Sequence, residues 1–290
     1  MSYKGSFVAL ITPFRDGKVD EVAFQRFVNW QIQQGTHGLV ACGTTGEAPT
    51  LSHEEHRRVV ELCIEAANRR VPVVAGTGSN STAEAISLTQ HAKKAGADAA
   101  LIVTPYYNKP TQEGMYQHFK TIAEAVDIPI IIYNIPPRSI VDMSVETMAR
   151  LAKLRNVIGV KDATNDLTRP VKTTLACGPE FCQLSGEDGT ALAYLAQGGV
   201  GCISVTANVA PKLCAMMQEA WQQGANETAQ KLNRQLMPLH DALFCETSPA
   251  PVKYAASLLG HSTADVRLPL VPASATARER VKSAMAGCGL

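Results

Sequence analysis

Lys161 closes the run Val157-Ile158-Gly159-Val160-Lys161, a cation at the end of an otherwise apolar, strand-like segment. A lysine at the mouth of a buried strand must be paired with an anion or have its pKa lowered by desolvation. In the second case its amine is a nucleophile for carbonyl compounds and forms a Schiff base. Asp162 and Glu187 are the anions at hand for the first case. Tyr133 ends the preceding apolar run, and on an adjacent parallel strand it would stand roughly 5 Å from Lys161. A phenol at that place passes protons during carbinolamine formation and dehydration. Taken together, the two residues favour imine chemistry over structural pairing.

Three weaker features surround this pair. The turn Gly43-Thr44-Thr45-Gly46 offers two hydroxyls and several backbone N–H groups, enough to hold a carboxylate or relay a proton, although an ordinary βα turn has the same composition. Arg138, in Pro136-Pro137-Arg138-Ser139, suits bidentate capture of a substrate carboxylate, or is simply a solvated arginine. His53 and His56 are three apart, and an exposed helix face explains them better than a metal site.

These residues need a frame. Apolar runs at 7–11, 38–42, 72–75, 99–104, 129–133, 157–161, 181–185 and 200–204 read as strands, with helical patterns between them. Eight strand-and-helix units imply a (β/α)₈ barrel, whose active site lies at the C-terminal ends of the strands. A doubly wound sheet is the alternative, but no G-x-G-x-x-G follows the first run. Gly198-Gly199 precedes the last strand and so belongs to the opposite face. The ends of the seventh and eighth runs lack a Gly-rich phosphate cradle. Ser52-x-x-Glu55 and Ser81-x-x-Glu84 read as capping boxes. Helices are expected at 211–223, 227–244, 249–259 and 274–286, giving a catalytic barrel over 1–224 and a helical C-terminal domain over 225–290.

Composition agrees with one globular enzyme-sized chain. Of 290 residues, 46% are apolar and 18% charged, and 27 basic residues nearly balance 26 acidic ones. No basic tract suggests nucleic acid or an anionic membrane surface. No apolar stretch reaches the length of a membrane span or a signal-peptide core, so a cytoplasmic location is expected. The eight cysteines form no C-x-x-C pair and read as reduced core residues rather than disulfides or zinc ligands.

The runs Gly-Thr-Thr-Gly-Glu (43–47), Thr-Pro-Tyr-Tyr-Asn-Lys-Pro (104–110), Tyr-Asn-Ile-Pro (133–136) and Gly-Val-Lys-Asp (159–162) match one family in order and spacing. Over essentially its whole length the chain resembles the dihydrodipicolinate synthases, pyruvate-dependent Schiff-base aldolases on a (β/α)₈ barrel with a helical C-terminal domain, usually homotetramers built as dimers of dimers. The resemblance implies a lyase that condenses pyruvate with aspartate semialdehyde on the diaminopimelate route to lysine, without metal or organic cofactor. Lys161 would form the imine. Tyr133, Thr44 and Tyr107 would relay protons, with Tyr107 reaching in from a neighbouring subunit. Thr45 would hold the pyruvate carboxylate and Arg138 that of aspartate semialdehyde, while Gly186 and the backbone of Ile203 would line the pocket. Pro137 and Ser139 depart from the family's commoner glycine and threonine on either side of the arginine.

Lysine-sensitive members bind lysine at a subunit interface, and the matching positions here are His53, His56, Asn80, Glu84 and Tyr106, beside Ala48 and Pro49. Pro49 removes a backbone donor and stiffens that loop, which is expected to weaken lysine binding. A sister aldolase acting on N-acetylneuraminate or keto-deoxy sugar acids would share Lys161 and Tyr133. A non-catalytic effector-binding barrel would not need them.

Overall fold

Each of the eight apolar runs forms a strand in the computed structural model, which describes residues 3–290. The strands are β1 (Gly5–Ala9), β2 (Phe14–Arg15), β3 (Lys18–Val19), β4 (Gly38–Ala41), β5 (Val73–Gly76), β6 (Ala99–Val103), β7 (Ile130–Asn134), β8 (Val157–Asp162), β9 (Cys182–Ser185) and β10 (Gly201–Ser204). All but β2 and β3 close into a barrel in the order β1-β10-β9-β8-β7-β6-β5-β4. The expected (β/α)₈ barrel is therefore present, with most strand ends displaced by only a residue or two. The chain resolves into two compact units. One holds Val74–Ile203 with the described residues up to Lys4; the other holds Gly5–Val73 and Ser204–Leu290.

In the first unit β5 to β9 pair in parallel, each with the next, and β9 pairs with β10. One face of these strands is aliphatic: Ala100, Ile102, Ile130, Ile132 and Val160 share a core with Met115, Phe119 and Ile122 of the helix Gln112–Ala125. Met148 and Leu151 of the helix Val145–Leu151 complete that layer. Phe119 has no exposed surface, so truncating it to alanine would cost about 3–5 kcal/mol. A bulge interrupts the β7–β8 ladder: Ile130 faces Val157, but Ile131 faces Gly159. Ile158 is the extra residue, and the slip brings Tyr133 opposite Lys161.

In the second unit β1 pairs with β4. The helix Glu21–Gln33 begins at Asp20, whose carboxylate accepts from Ala23 N. The helix His53–Ala67 carries the complete capping box read at Ser52 and Glu55. In the first unit, Ser81 caps the helix Thr82–Ala95 by accepting from Glu84 N, but the reciprocal arm of that expected box is rerouted. Ser79 Oγ accepts from Ser81 N and donates to the Glu84 carboxylate. The C-terminal helices are Pro211–Gln222, Asn226–Leu243, Ala250–Leu258 and Ala275–Gly287, close to expectation.

A small hairpin was not anticipated: β2 and β3 pair around Asp16-Gly17, both with positive φ (52° and 75°). Asp-Gly is the favoured sequence for such a turn. Among the described residues no helix is long and apolar enough to cross a membrane. Of the eight cysteines, none in a disulfide, five are buried as core residues, whereas Cys177, Cys182 and Cys245 are only partly buried.

Candidate active site

Lys161 and Tyr133 are direct partners across the β7–β8 ladder. Both are 6% exposed, and Lys161 Nζ lies 4.1 Å from the centroid of the Tyr133 ring. The ring face carries negative quadrupole density, so it accommodates an ammonium without taking its protons. Among the described residues no ion pair involves Lys161. Of the two anions near it in sequence, Asp162 pairs instead with Arg169, at 3.3 Å. Glu187 forms no salt bridge either, although it feels the Lys161 charge: burial, and then Asp188, raise its carboxyl pKa, while Lys161 and Arg138 oppose the rise. Among the described residues, the ion pair that a buried lysine would ordinarily require is absent.

Glycines let the neighbouring chain approach this amine. A Cβ on Gly159 would lie 2.3 Å from the Cys182 carbonyl, so β8 and β9 could not keep their spacing. A Cβ on Gly186 would fall 2.7 Å from Ala163 Cβ and 3.2 Å from Lys161 Cε. Gly186 N also donates to the Asp162 carbonyl at 2.6 Å. The residue after β9 is thus held against the Lys161 side chain. Ile203 is buried within β10, which adjoins β9.

Arg138 is exposed, on a short helix Pro136–Ser139. Ser139 Oγ donates to the carbonyls of Ile135 and Val141, tightening the turn. Ile140 follows with φ of 63°, a left-handed conformation that a β-branched residue adopts only under constraint. Tyr107 is 85% exposed, and its backbone N–H and that of Tyr106 both donate to Asn80 Oδ1. Asn80 therefore has a job in ordering the tyrosine loop.

Thr44 and Thr45 lie in the second unit, on a turn wound tightly by Gly46 N and Ala48 N, which both donate to Gly43 O. Thr45 is buried and Thr44 half-buried. Glu47 ends the turn with φ of 56° and is 2% exposed. Its carboxylate accepts from Lys253 Nζ at 2.7 Å and from Arg267 N at 2.9 Å. Burial lowers the Lys253 pKa, and Glu47 works against that fall. Neither Lys253 nor Arg267 was singled out from the sequence. The available signal for Lys253 was its helix, Ala-Pro-Val-Lys-Tyr-Ala-Ala-Ser-Leu, which has almost no polar face for a lysine to occupy.

The expected effector residues divide. His53 is exposed at the start of its helix, but His56 is only 7% exposed, so the two do not share the wet helix face read for them. Residues three apart lie on nearly the same side of a helix, so the difference comes from place along it: His53 is the first helical residue and His56 lies a turn further in. Glu84 accepts from Ser79, and Tyr106 is 41% exposed.

Comparison with known proteins covers almost the whole chain. Residues 2–287 match the sequence model of the dihydrodipicolinate synthetase family. The chain is 68% identical to a 4-hydroxy-tetrahydrodipicolinate synthase from Rhodospirillum centenum, over 99% of both. Its structure resembles that of a chloride-inhibited dihydrodipicolinate synthase from Acinetobacter baumannii complexed with pyruvate, with TM-score 0.97, 48% identity and 99% of each chain covered. It is also similar to a DHDPS from Cyanidioschyzon merolae with lysine bound, with TM-score 0.96, 35% identity and 99% of each chain covered.

Proposed function

The chain belongs to the dihydrodipicolinate synthetase family, and on that premise we infer that it is a lyase of the class I aldolase type. It condenses pyruvate with L-aspartate-4-semialdehyde to give 4-hydroxy-tetrahydrodipicolinate, on the diaminopimelate route to lysine. The observation that carries this reading is the buried Lys161 amine, free of any ion pair and seated over a phenol.

The chemistry follows from that placement. The Lys161 amine attacks the keto carbon of pyruvate, and the carbinolamine loses water as Tyr133 exchanges protons with the departing oxygen. In the protonated imine the nitrogen withdraws electrons, so a methyl proton leaves and an enamine forms. The enamine carbon attacks the aldehyde carbon of aspartate semialdehyde, forming the new C–C bond; the aldehyde oxygen takes up a proton to become the hydroxyl, and the substrate's own amine then displaces the Lys161 nitrogen from the imine carbon, closing the ring and freeing the lysine. Thr44 and Tyr107 extend the proton relay, Thr45 binds the pyruvate carboxylate, and Arg138 binds the second carboxylate. Gly186 and the Ile203 backbone line the pocket.

The same reading makes the protein a cytoplasmic homotetramer, a dimer of dimers in which Tyr107 reaches a neighbouring subunit. The 85% exposure of Tyr107 in the single chain supports that role. Lysine would inhibit through His53, His56, Asn80, Glu84 and Tyr106, a proposal supported by the lysine-bound relative. The deciding assay compares turnover of pyruvate plus aspartate semialdehyde with cleavage of N-acetylneuraminate and keto-deoxy sugar acids. Turnover confined to the first pair is expected; cleavage of a sugar acid without it would move the chain to a sister activity. An unchanged rate in millimolar lysine would remove the inhibitor assignment alone.

A further inference from the structure

Lys161 and Tyr133 are each followed on their strand by a buried polar residue, and these are also paired: Asn134 faces Asp162. Side chains alternate along a strand, so Asn134 and Asp162 leave on the face opposite to Tyr133 and Lys161. One guanidinium ties them together. Arg169, the first residue of the helix Arg169–Cys177, places Nε 3.3 Å from Asp162 Oδ2. Its Nη1 donates to both oxygens of Asp142 at 3.1 Å, and its Nη2 to the Met143 carbonyl at 2.7 Å. Asp142 Oδ1 in turn accepts from Asn134 Nδ2 at 2.7 Å, and Asn134 Oδ1 accepts from Met143 N at 3.0 Å. The circuit Asn134, Asp142, Arg169, Asp162 thus closes behind the two reacting residues.

We propose that Arg169 is a positioning residue: by clamping Asp162 and the Asn134–Asp142 pair, it fixes the ends of β8 and β7 so that the Lys161 amine stays over the Tyr133 ring. The proposal rests on the reading of Lys161 as the imine-forming residue. Charge neutralisation alone does not explain the arrangement. Asp162 is 3% exposed and needs a counter-ion, but Asp142 is 48% exposed and water would serve it. Arg169 nevertheless spends two contacts on Asp142 and a third on the carbonyl of Met143. A planar fork spanning two strand ends and the segment that follows Arg138 is suited to holding geometry, and a lysine could not reproduce it. The Asp162 carbonyl also receives Gly186 N, so displacement of Asp162 would move Lys161 and its pocket wall together.

The test uses the full-length chain, with Arg169→Met, Arg169→Lys and Asp142→Asn. Each is assayed for kcat and KM and for the rate at which borohydride traps pyruvate on Lys161. Arg169→Met should lower both kcat and the trapping rate about 10- to 100-fold, as for a reacting group displaced by about 1 Å, with pyruvate KM nearly unchanged. Arg169→Lys should recover thermal stability but only part of kcat. Asp142→Asn, at a half-exposed position that tolerates the change, should lower kcat to a smaller extent. Wild-type trapping and kcat in a folded Arg169→Met variant would overturn the proposal. If that variant does not fold, full activity in both Arg169→Lys and Asp142→Asn would do so. No trapping on Lys161 in the wild type would instead overturn the imine reading itself.

Discussion

The molecule buries two lysines over aromatic rings, and the two are handled in opposite ways. Lys253 Nζ lies 3.9 Å from the centre of the Phe14 ring, is 0% exposed, and is neutralised by Glu47 at 2.7 Å. Lys161 Nζ lies 4.1 Å from the centre of the Tyr133 ring, is 6% exposed, and among the described residues has no ion-paired carboxylate. The ring contact is common to both, so it does not mark function. What differs is the rest of the shell: an ion-paired carboxylate and a hydrocarbon ring for Lys253, a phenol and only the longer-range charge of Glu187 for Lys161. A buried cation whose charge is matched holds the turn of Thr44 and Thr45 in shape. A buried amine left unmatched is open to a carbonyl carbon.

Exchanging these fates should separate activity from stability. Lys161→Ala should lower kcat about 10³-fold or more, since the covalent step is lost. Its melting temperature should hold or rise, because an uncompensated buried amine has been removed. Lys253→Met should do the reverse, costing about 3–5 kcal/mol by leaving Glu47 without its cation. Paired with Glu47→Gln, it should regain most of that loss. A Lys161→Ala variant that melts far below wild type, or a stable Lys253→Met, would erase the contrast.

How far the contrast was legible in the sequence depends on where each residue's partners lie. Lys161 was visible because a charge ended an apolar run, and Tyr133 because the strand count made it a neighbour. Arg169 was hidden: it follows a polar stretch, Thr164-Asn165-Asp166-Leu167-Thr168, and its partners Asp142 and Asp162 are brought to it only by the barrel. Glu47 and Lys253 are 206 residues apart, so no local pattern joins them. The strands were legible because short apolar runs carry their own signal, whereas the Ile158 bulge that sets the phase of Lys161 leaves no mark in an unbroken run of apolar residues. The Asp16-Gly17 hairpin has a local turn signal, but only two residues pair on each side, too few to show a strand pattern.

Smaller changes sharpen the comparison. Tyr133→Phe makes the ring beneath Lys161 like that beneath Lys253; kcat should fall about 10²-fold or more through loss of the proton carrier, with little change in melting temperature. Phe14→Leu tests the other ring and should destabilise by about 1–2 kcal/mol while leaving kcat per folded molecule near wild type. His118 shows a third way to bury a titratable base, by keeping it neutral: burial lowers its pKa from 6.5 to about 4. Its Nδ1 meets Thr82 Oγ1 at 2.9 Å. A depressed pKa means that stability present above pH 6.5 is lost as pH falls toward about 4, where the folded state must also take up the proton. His118→Gln should therefore flatten the acid limb of a melting-temperature profile, and an unchanged limb would assign acid sensitivity elsewhere.

The central claim is that an unpaired amine over a phenol is reactive and a paired amine over a hydrocarbon ring is not. Incubation with pyruvate and borohydride, followed by peptide mass spectrometry, compares both lysines in one sample. The account predicts a reduced pyruvate adduct on Lys161 and none on Lys253. An adduct on Lys253, or no adduct on Lys161, would contradict it.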